Sequence, residues 1–173
     1  MPRADDRELR QAYRDHVSAV YAYFAYSVSR HVAEDLTSST FERVIRSWAS
    51  YDPRKAGMRT WILVIARNQL TDHYRRSSHR DARSLDAEPA LLDGLEADDV
   101  VGQVAERDAF RALLAGSQPR EREVLALRYG ADMSANEVAE LLELTSANVH
   151  QIASRALRRL RAELAGEQVS DSA

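Results

Sequence analysis

The chain reads as an all-α protein made of two small helical domains joined by a flexible acidic linker. Three observations carry this reading. Apolar residues recur at spacings of three and four along nearly the whole chain, the period of an amphipathic helix. Glycine and proline are scarce, at six and four of 173 residues, and the β-branched alternation that marks strands is nearly absent. Residues 84–102, SLDAEPALLDGLEADDVVG, break the pattern with Pro89, Gly94, Gly102 and a run of acids. That stretch divides the chain into domains 1–83 and 103–173. At about 3.3 Å per residue it reaches roughly 60 Å when extended, so the halves need not pack on each other.

Each element has a local reason. A first helix is predicted over about Asp5–Ser29, with Leu9, Tyr13, Val17, Val20, Tyr21 and Phe24 as its apolar stripe. A second, about Ala33–Ser50, carries Leu36, Phe41, Val44, Ile45 and Trp48. Pro53 disfavours helix at Asp52, and Gly57 frees the backbone before a third helix over about Met58–Ser78. Beyond the linker, a helix is expected at about Val104–Leu114. Pro119 suits the first turn of a helix reaching Tyr129, and Gly130 is expected to stop it. Ser134 and Glu137 have the spacing of a capping box for the next helix, which buries Val138, Leu141 and Leu142. Thr145 is a second N-cap, ahead of a last helix with Val149, Ile152, Ala153, Ala156 and Leu160 inside. A short tail is expected after Leu164, with no room for a further regulatory domain.

Composition removes several classes of function. There is no cysteine, hence no disulfide framework, thiol nucleophile or cysteine-ligated metal. The N-terminal segment MPRADDRELRQAYRDH is charged from the start, unlike a secretory signal. The apolar runs are far shorter than the roughly 20 residues that span a bilayer. A cytoplasmic protein with no membrane insertion is expected. No His-Glu-x-x-His, glycine-rich phosphate loop or G-x-S-x-G occurs, so no enzyme, metal, cofactor or small-molecule substrate is expected.

The net charge of −3 hides a strong pattern. Arg67–Arg83 holds five arginines against Asp72 and Asp81, and Ser154–Arg161 holds four arginines and no acid. Between them, Ser84–Asp108 has eight acids against Arg107 alone. Two basic footprints of the kind phosphate backbones attract flank an acidic segment. That segment is expected to shield the basic faces in the free protein.

The last two helices, joined by a turn of three or four residues, have the helix-turn-helix arrangement. Ser146, Ala147, Asn148, His150, Gln151, Ser154, Arg155 and Arg158 lie off the buried stripe of the final helix. The front is small and polar and the back is basic, the order a recognition helix needs to touch base edges first and phosphates later. Gln151 suits adenine, and Arg155 suits guanine or phosphate. Glu143 occupies the turn position that usually goes left-handed and prefers glycine, at a cost on the order of 1 kcal/mol. In the first half, WILVIARNQLTDHYRR at 61–76 places an apolar anchor, Trp61–Ile65, ahead of Asn68, Thr71, Asp72 and Arg75 on one helical face.

Taken in order, these pieces resemble the sigma-70 family of RNA polymerase sigma factors, and within it the extracytoplasmic-function (ECF) group. The match spans about residues 10–164. It rests on AEDL at 33–36, F-x-x-V-x-x-S-W at 41–48, YDPRK at 51–55, and R-T-W-I-x-x-I-A-R-N at 59–68 followed by D-H-Y-R-R. In the second half it rests on PREREVLALRY at 119–129, S-x-x-E-V-A-E-L-L at 134–142, N-V-H-Q at 148–151 and RALRRLR at 155–161.

The resemblance implies that domain 1–83 is region 2, which binds the β′ clamp helices of core polymerase and captures the −10 promoter element. It implies that domain 103–173 is region 4, which binds the −35 element and the β flap. Lys55, Arg59, Arg67, Asn68, Thr71, Asp72, Arg75 and Arg76 would meet −10 DNA, with Asn68 at the position that contacts an extruded base, the loop Asp52–Thr60 as pocket wall, and Arg80 as a further phosphate contact. Ser146, Ala147, Asn148, His150, Gln151, Ser154, Arg155 and Arg158 would meet the −35 element. Glu34, Asp35, Thr40 and Arg43 would meet the polymerase. An anti-sigma partner is also implied. Ser38 and Ser39 stand where many members carry a glutamine and an acid, a departure that bears on the detail of the β′ contact. Ser117 replaces a frequent leucine, so looser packing is expected at that helix entry. The rival reading is a stand-alone factor of the response-regulator output type. It requires an α/β receiver in residues 1–83, where the periodicity is helical.

Overall fold

The computed structural model describes residues 6–81, 114 and 116–170, with side chains described up to residues 78 and 163 in the two halves. The linker 84–102 and almost all of the helix expected at 104–114 lie outside the described residues, as do the acids of 84–108. Helix α1 is Asp6–Ala25, α2 is Arg30–Ser47 with a 3-10 turn at Trp48–Ser50, and α3 is Met58–Asp81. In the second half, α4 is Pro119–Leu125, running into a π turn at Ala126–Gly130. Then come α5, Ala135–Leu142, and α6, Ser146–Ser170. The described part of the tail expected after Leu164 is therefore helical through Ser170.

α1, α2 and α3 pack pairwise as a three-helix bundle. Val20 and Phe24 from α1, Leu36, Phe41 and Val44 from α2, and Ile62, Leu63 and Leu70 from α3 are buried. The seam on α1 is rotated from the predicted stripe. Ala12, Val20, Tyr23 and Phe24 lie inside, whereas Tyr13 is exposed and reaches inward only to set its ring edge-on to Phe41, 4.8 Å between centroids. Ile45 and Val64, both predicted inside, are exposed. The buried Thr37 and Thr40 hydroxyls donate to the Ala33 and Leu36 carbonyls at 2.7 Å, which satisfies them within their own helix. Gln69, 3% exposed, donates through Nε2 to Ser39 Oγ at 2.9 Å and ties α3 to α2.

The second half does not stand apart, although the linker would allow it. One continuous core runs from the bundle into Val124, Leu125, Leu127, Met133, Val138, Val149 and Leu160. The π turn packs against α1 and α5 against α3. Gly130 makes the close approach. A β-carbon there would lie 2.8 Å from Tyr26 Cδ2 and 3.1 Å from the Ala22 carbonyl oxygen. The glycine is thus needed for room against α1. Chain reversal falls to Asp132, left-handed at φ 52°.

Ser117 is not a loose spot. It is buried, its hydroxyl accepts from Arg159 Nη2 at 2.7 Å, and its carbonyl accepts from Arg122 Nη2 at 3.2 Å. Arg159 also pairs with Glu121 at 2.7 Å, clamping α6 onto the start of α4. A polar hub thus does the packing a leucine would otherwise do.

Phe24→Ala should lower unfolding free energy by about 3–5 kcal/mol, whereas Ile45→Ala should change it by no more than about 0.5 kcal/mol. Urea titration followed by circular dichroism checks both.

Candidate nucleic-acid and polymerase interfaces

The helix-turn-helix is built by its caps. Ser134 Oγ accepts from the Glu137 N–H at 3.2 Å while Glu137 Oε2 accepts from the Ser134 N–H at 2.7 Å, closing the predicted capping box. These bonds hold the Glu137 carboxyl below its ordinary value of 4.5. Glu143 takes the left-handed conformation, φ 54°, and Leu144 N–H then donates back to the Ala139 carbonyl at 2.8 Å. Thr145 Oγ1 accepts from the Asn148 N–H at 3.2 Å and starts α6. Arg120 adds a support the sequence pattern did not suggest: its Nη2 donates to the Leu142 carbonyl at 2.8 Å, satisfying the end of α5.

On α6, Val149, Ala153, Ala156 and Leu160 face the core. Ala147, Asn148, His150, Gln151, Ser154, Arg155 and Arg158 are exposed and Ser146 is half-buried. The predicted reading face is therefore one continuous solvent-facing strip.

The α3 face divides. Asn68, Thr71, Arg75 and Arg76 are exposed, and Asp72 is half-buried with Arg75 Nη1 3.8 Å from its Oδ1. Exposed Val64 falls on the same face, at i−4 from Asn68. Lys55 is exposed in the preceding loop. That loop is braced by Trp48, Tyr51 and Trp61, with ring centroids 5.1–6.3 Å apart, and by Arg54 against Asp52 at 3.0 Å. The Arg54 guanidinium holds the Asp52 carboxyl below its usual range. Arg59 and Arg67 behave differently, because both reach into the second half. Arg59 Nη1 donates to the Asp132 carbonyl at 2.9 Å, and Arg67 Nε is bonded to Glu123 Oε1. The Arg80 side chain lies outside those described.

On α2, Glu34 and Asp35 are exposed, beside Arg30 at 3.0 Å and His31 at 3.7 Å. Arg43 is exposed. Thr40 is fully buried with its hydroxyl held by Leu36, so it is withdrawn from the polymerase-facing set; its role is to pack α2. Glu34 borders an open groove of about 470 Å³ between α1 and α2, lined also by Val17, Tyr21 and Ser38. Ser38 is exposed, with its hydroxyl donating to the Glu34 carbonyl at 3.1 Å, whereas Ser39 belongs to the α2–α3 contact.

Residues 9–80 match the family model for Sigma-70 region 2, and residues 114–162 match that for Sigma-70, region 4. The RNA polymerase sigma-E factor of Streptomyces avermitilis is 31% identical over 134 residues, covering 76% of this chain and 70% of that protein. The chain belongs to the ECF group of the sigma-70 family. Other relatives agree. The ECF sigma factor SigM of Bacillus subtilis is 26% identical over 155 residues, covering 89% of this chain and 93% of that protein. BldN of Streptomyces coelicolor is 29% identical over 160 residues, and the match covers 86% of this chain and 57% of BldN. Among solved structures, CnrH in complex with the cytosolic domain of CnrY has a TM-score of 0.69 at 21% identity, covering 94% of this chain and 91% of that one. The sigma factor RpoE in complex with the anti-sigma factor NepR from Bartonella quintana has a TM-score of 0.69 at 20% identity, covering 91% and 97%. These two share the fold of this sigma factor. Residues 6–81 are three helices and short turns, which is not a receiver domain. No helix among the described residues is long and apolar enough to cross a membrane.

Ser134→Ala should cost the sigma factor about 1 kcal/mol. Glu137→Gln should melt lower than wild type at pH 7. Because the folded pKa of Glu137 is depressed, its contribution is present above about 4.5 and fades as pH falls through the folded value. The gap between the two melting curves should therefore close below that pH, as thermal melts at stepped pH will show.

Proposed function

We propose that this alternative sigma factor binds core RNA polymerase through α2, captures the −10 element on α3 and its preceding loop, and reads the −35 element with α6. The observation that carries the proposal is the pair of exposed polar-to-basic faces, Asn68–Arg76 and Ala147–Arg158, each on a helix anchored from behind by its own buried stripe.

Asn68 offers donors and an acceptor to a base edge. The half-exposed rings of Trp48, Tyr51 and Trp61 give unpaired bases a stacking platform. Extruding a base costs a few kcal/mol, and contacts of these two kinds are the ones that return it. Arg75, Arg76 and Lys55 supply phosphate contacts. On α6, Gln151 and Asn148 lie at the base-reading end and Arg155 and Arg158 at the phosphate end. Glu34, Asp35 and Arg43 form the proposed clamp-helix contact, with the β flap against region 4. An anti-sigma partner belongs to the same proposal.

Gel filtration with bacterial core polymerase tests it. Co-elution is expected, and is expected to be lost in a folded Asp35→Arg variant. A folded wild-type protein that elutes apart from core polymerase would overturn the reading. Asn68→Ala should weaken discrimination at the −10 element more than polymerase binding, measured by run-off transcription beside co-elution. Arg158→Ala should weaken promoter binding evenly across sequences and reduce the slope of log affinity against log salt by about 1; a salt series of mobility shifts reads this.

A further inference from the structure

Between α1, α3 and α4 lies a cleft of about 350 Å³ that the promoter reading does not use. Of the residues proposed to meet −10 DNA, Thr71 lines it, at its exposed rim. Small-molecule sites are concavities of roughly 300–1,000 Å³ with apolar walls and a few placed polar groups. This cleft has that composition. Leu70, 7% exposed, is an apolar wall, and Pro119 is another. Tyr74 adds a ring held in place by its own hydroxyl, which donates to the Ser27 carbonyl at 3.0 Å. Tyr23 also lines the cleft although it is 1% exposed, and its hydroxyl lies in the field of Glu123, Arg67 and Tyr74. Burial and then Glu123 push that hydroxyl upward in pKa, so it remains a hydrogen-bond donor at neutral pH.

The charges in the cleft select the ligand. Arg120 and Arg122 line it against Glu123, two cations against one anion, so it carries one net positive charge. Both Glu123 oxygens are already engaged, Oε1 by Arg67 and Oε2 by Arg120 at 3.2 Å. Arg120 spends Nη1 on Glu123 and Nη2 on the Leu142 carbonyl, two of the five N–H donors of a guanidinium, and its side chain is 40% exposed. A monoanion balances the charge, and a flat apolar body suits the walls, since rings pack offset or edge-on against a tyrosine. We propose that this cleft is a small-molecule site for an aromatic carboxylate of one or two rings. The rings lie on Leu70, Tyr74 and Pro119, and the carboxylate accepts from Arg120 and the Tyr23 hydroxyl. The inference goes beyond promoter recognition and does not rest on it.

The test titrates the full chain, labelled with nitrogen-15, with 2-naphthoate at pH 7 and follows the backbone amide resonances. Expected are saturable shifts centred on residues 70–74 and 120–123, with a dissociation constant of about 1 mM or tighter. 2-Naphthamide has the same rings without the charge and should bind about tenfold more weakly. Tyr23→Phe removes the buried donor and Arg120→Gln the cation; each should raise the constant for 2-naphthoate about tenfold. Thr71→Trp, at the exposed rim, should fill the mouth and abolish binding. Circular dichroism confirms the fold of every variant. Four results would each overturn the site: no saturable shift in wild type up to about 10 mM probe, binding that survives Thr71→Trp, an amide that binds as tightly as the carboxylate, or a constant unchanged in both Tyr23→Phe and Arg120→Gln.

Discussion

The arrangement of this molecule depends on a missing β-carbon. Gly130 lies against the Tyr26 ring and the Ala22 carbonyl, where a β-carbon would come within 2.8 Å of Tyr26 Cδ2 and 3.1 Å of the carbonyl oxygen, so that the ring or the helix would have to shift. The π turn that ends α4 carries the glycine to that point. The Ala131 N–H bonds back five residues to the Ala126 carbonyl at 2.9 Å, which widens the last turn. Tyr23 is closed in completely, and its hydroxyl is pushed upward in pKa by burial and then by Glu123. Two helical domains that each own a core thereby share one.

The same closure changes the chemistry of α3. Arg67 keeps its charge more firmly because Glu123 bonds to it. That bond also gives the carboxylate a partner on α3. His16 lies near Arg59 in the contact region; burial, and then the Arg59 charge, hold its imidazole below its ordinary pKa. The electrostatics of the α3 face proposed to meet −10 DNA are therefore a property of the packed chain as much as of the helix that bears it.

Much of the fold was legible in the sequence because its signals are local. Pro119 at a first helical turn, the Ser134–Glu137 box, the Thr145 cap and the strained Glu143 all act within four residues of themselves, and all stand where the pattern placed them. The α6 strip was legible too, since a long helix with a clear apolar stripe leaves little choice about what faces out. The misreadings share a cause. Tyr13, Ile45 and Val64 are apolar residues at plausible core spacing, but a three-helix bundle buries only the stripe its neighbours reach. Thr40 has the composition of a surface residue and lies inside, because its hydroxyl is satisfied by its own helix. Ser117 appeared as a gap where leucine was expected; only the arrival of Arg159 from α6 makes it a hub.

The sequence by itself determined the helices of the described residues, the caps at Ser134 and Thr145, the left-handed turn at Glu143, the family and the exposed α6 strip, since each follows from residues close together along the chain. Only the tertiary structure decided which arginines are free and which are held. Arg67 and Glu123 are 56 positions apart, and Arg59 and Asp132 are 73 apart. No periodicity or spacing rule spans a linker of that length. The pairing exists because Gly130 admits the second half to within bonding distance of the first, a matter of close packing that only the folded chain expresses.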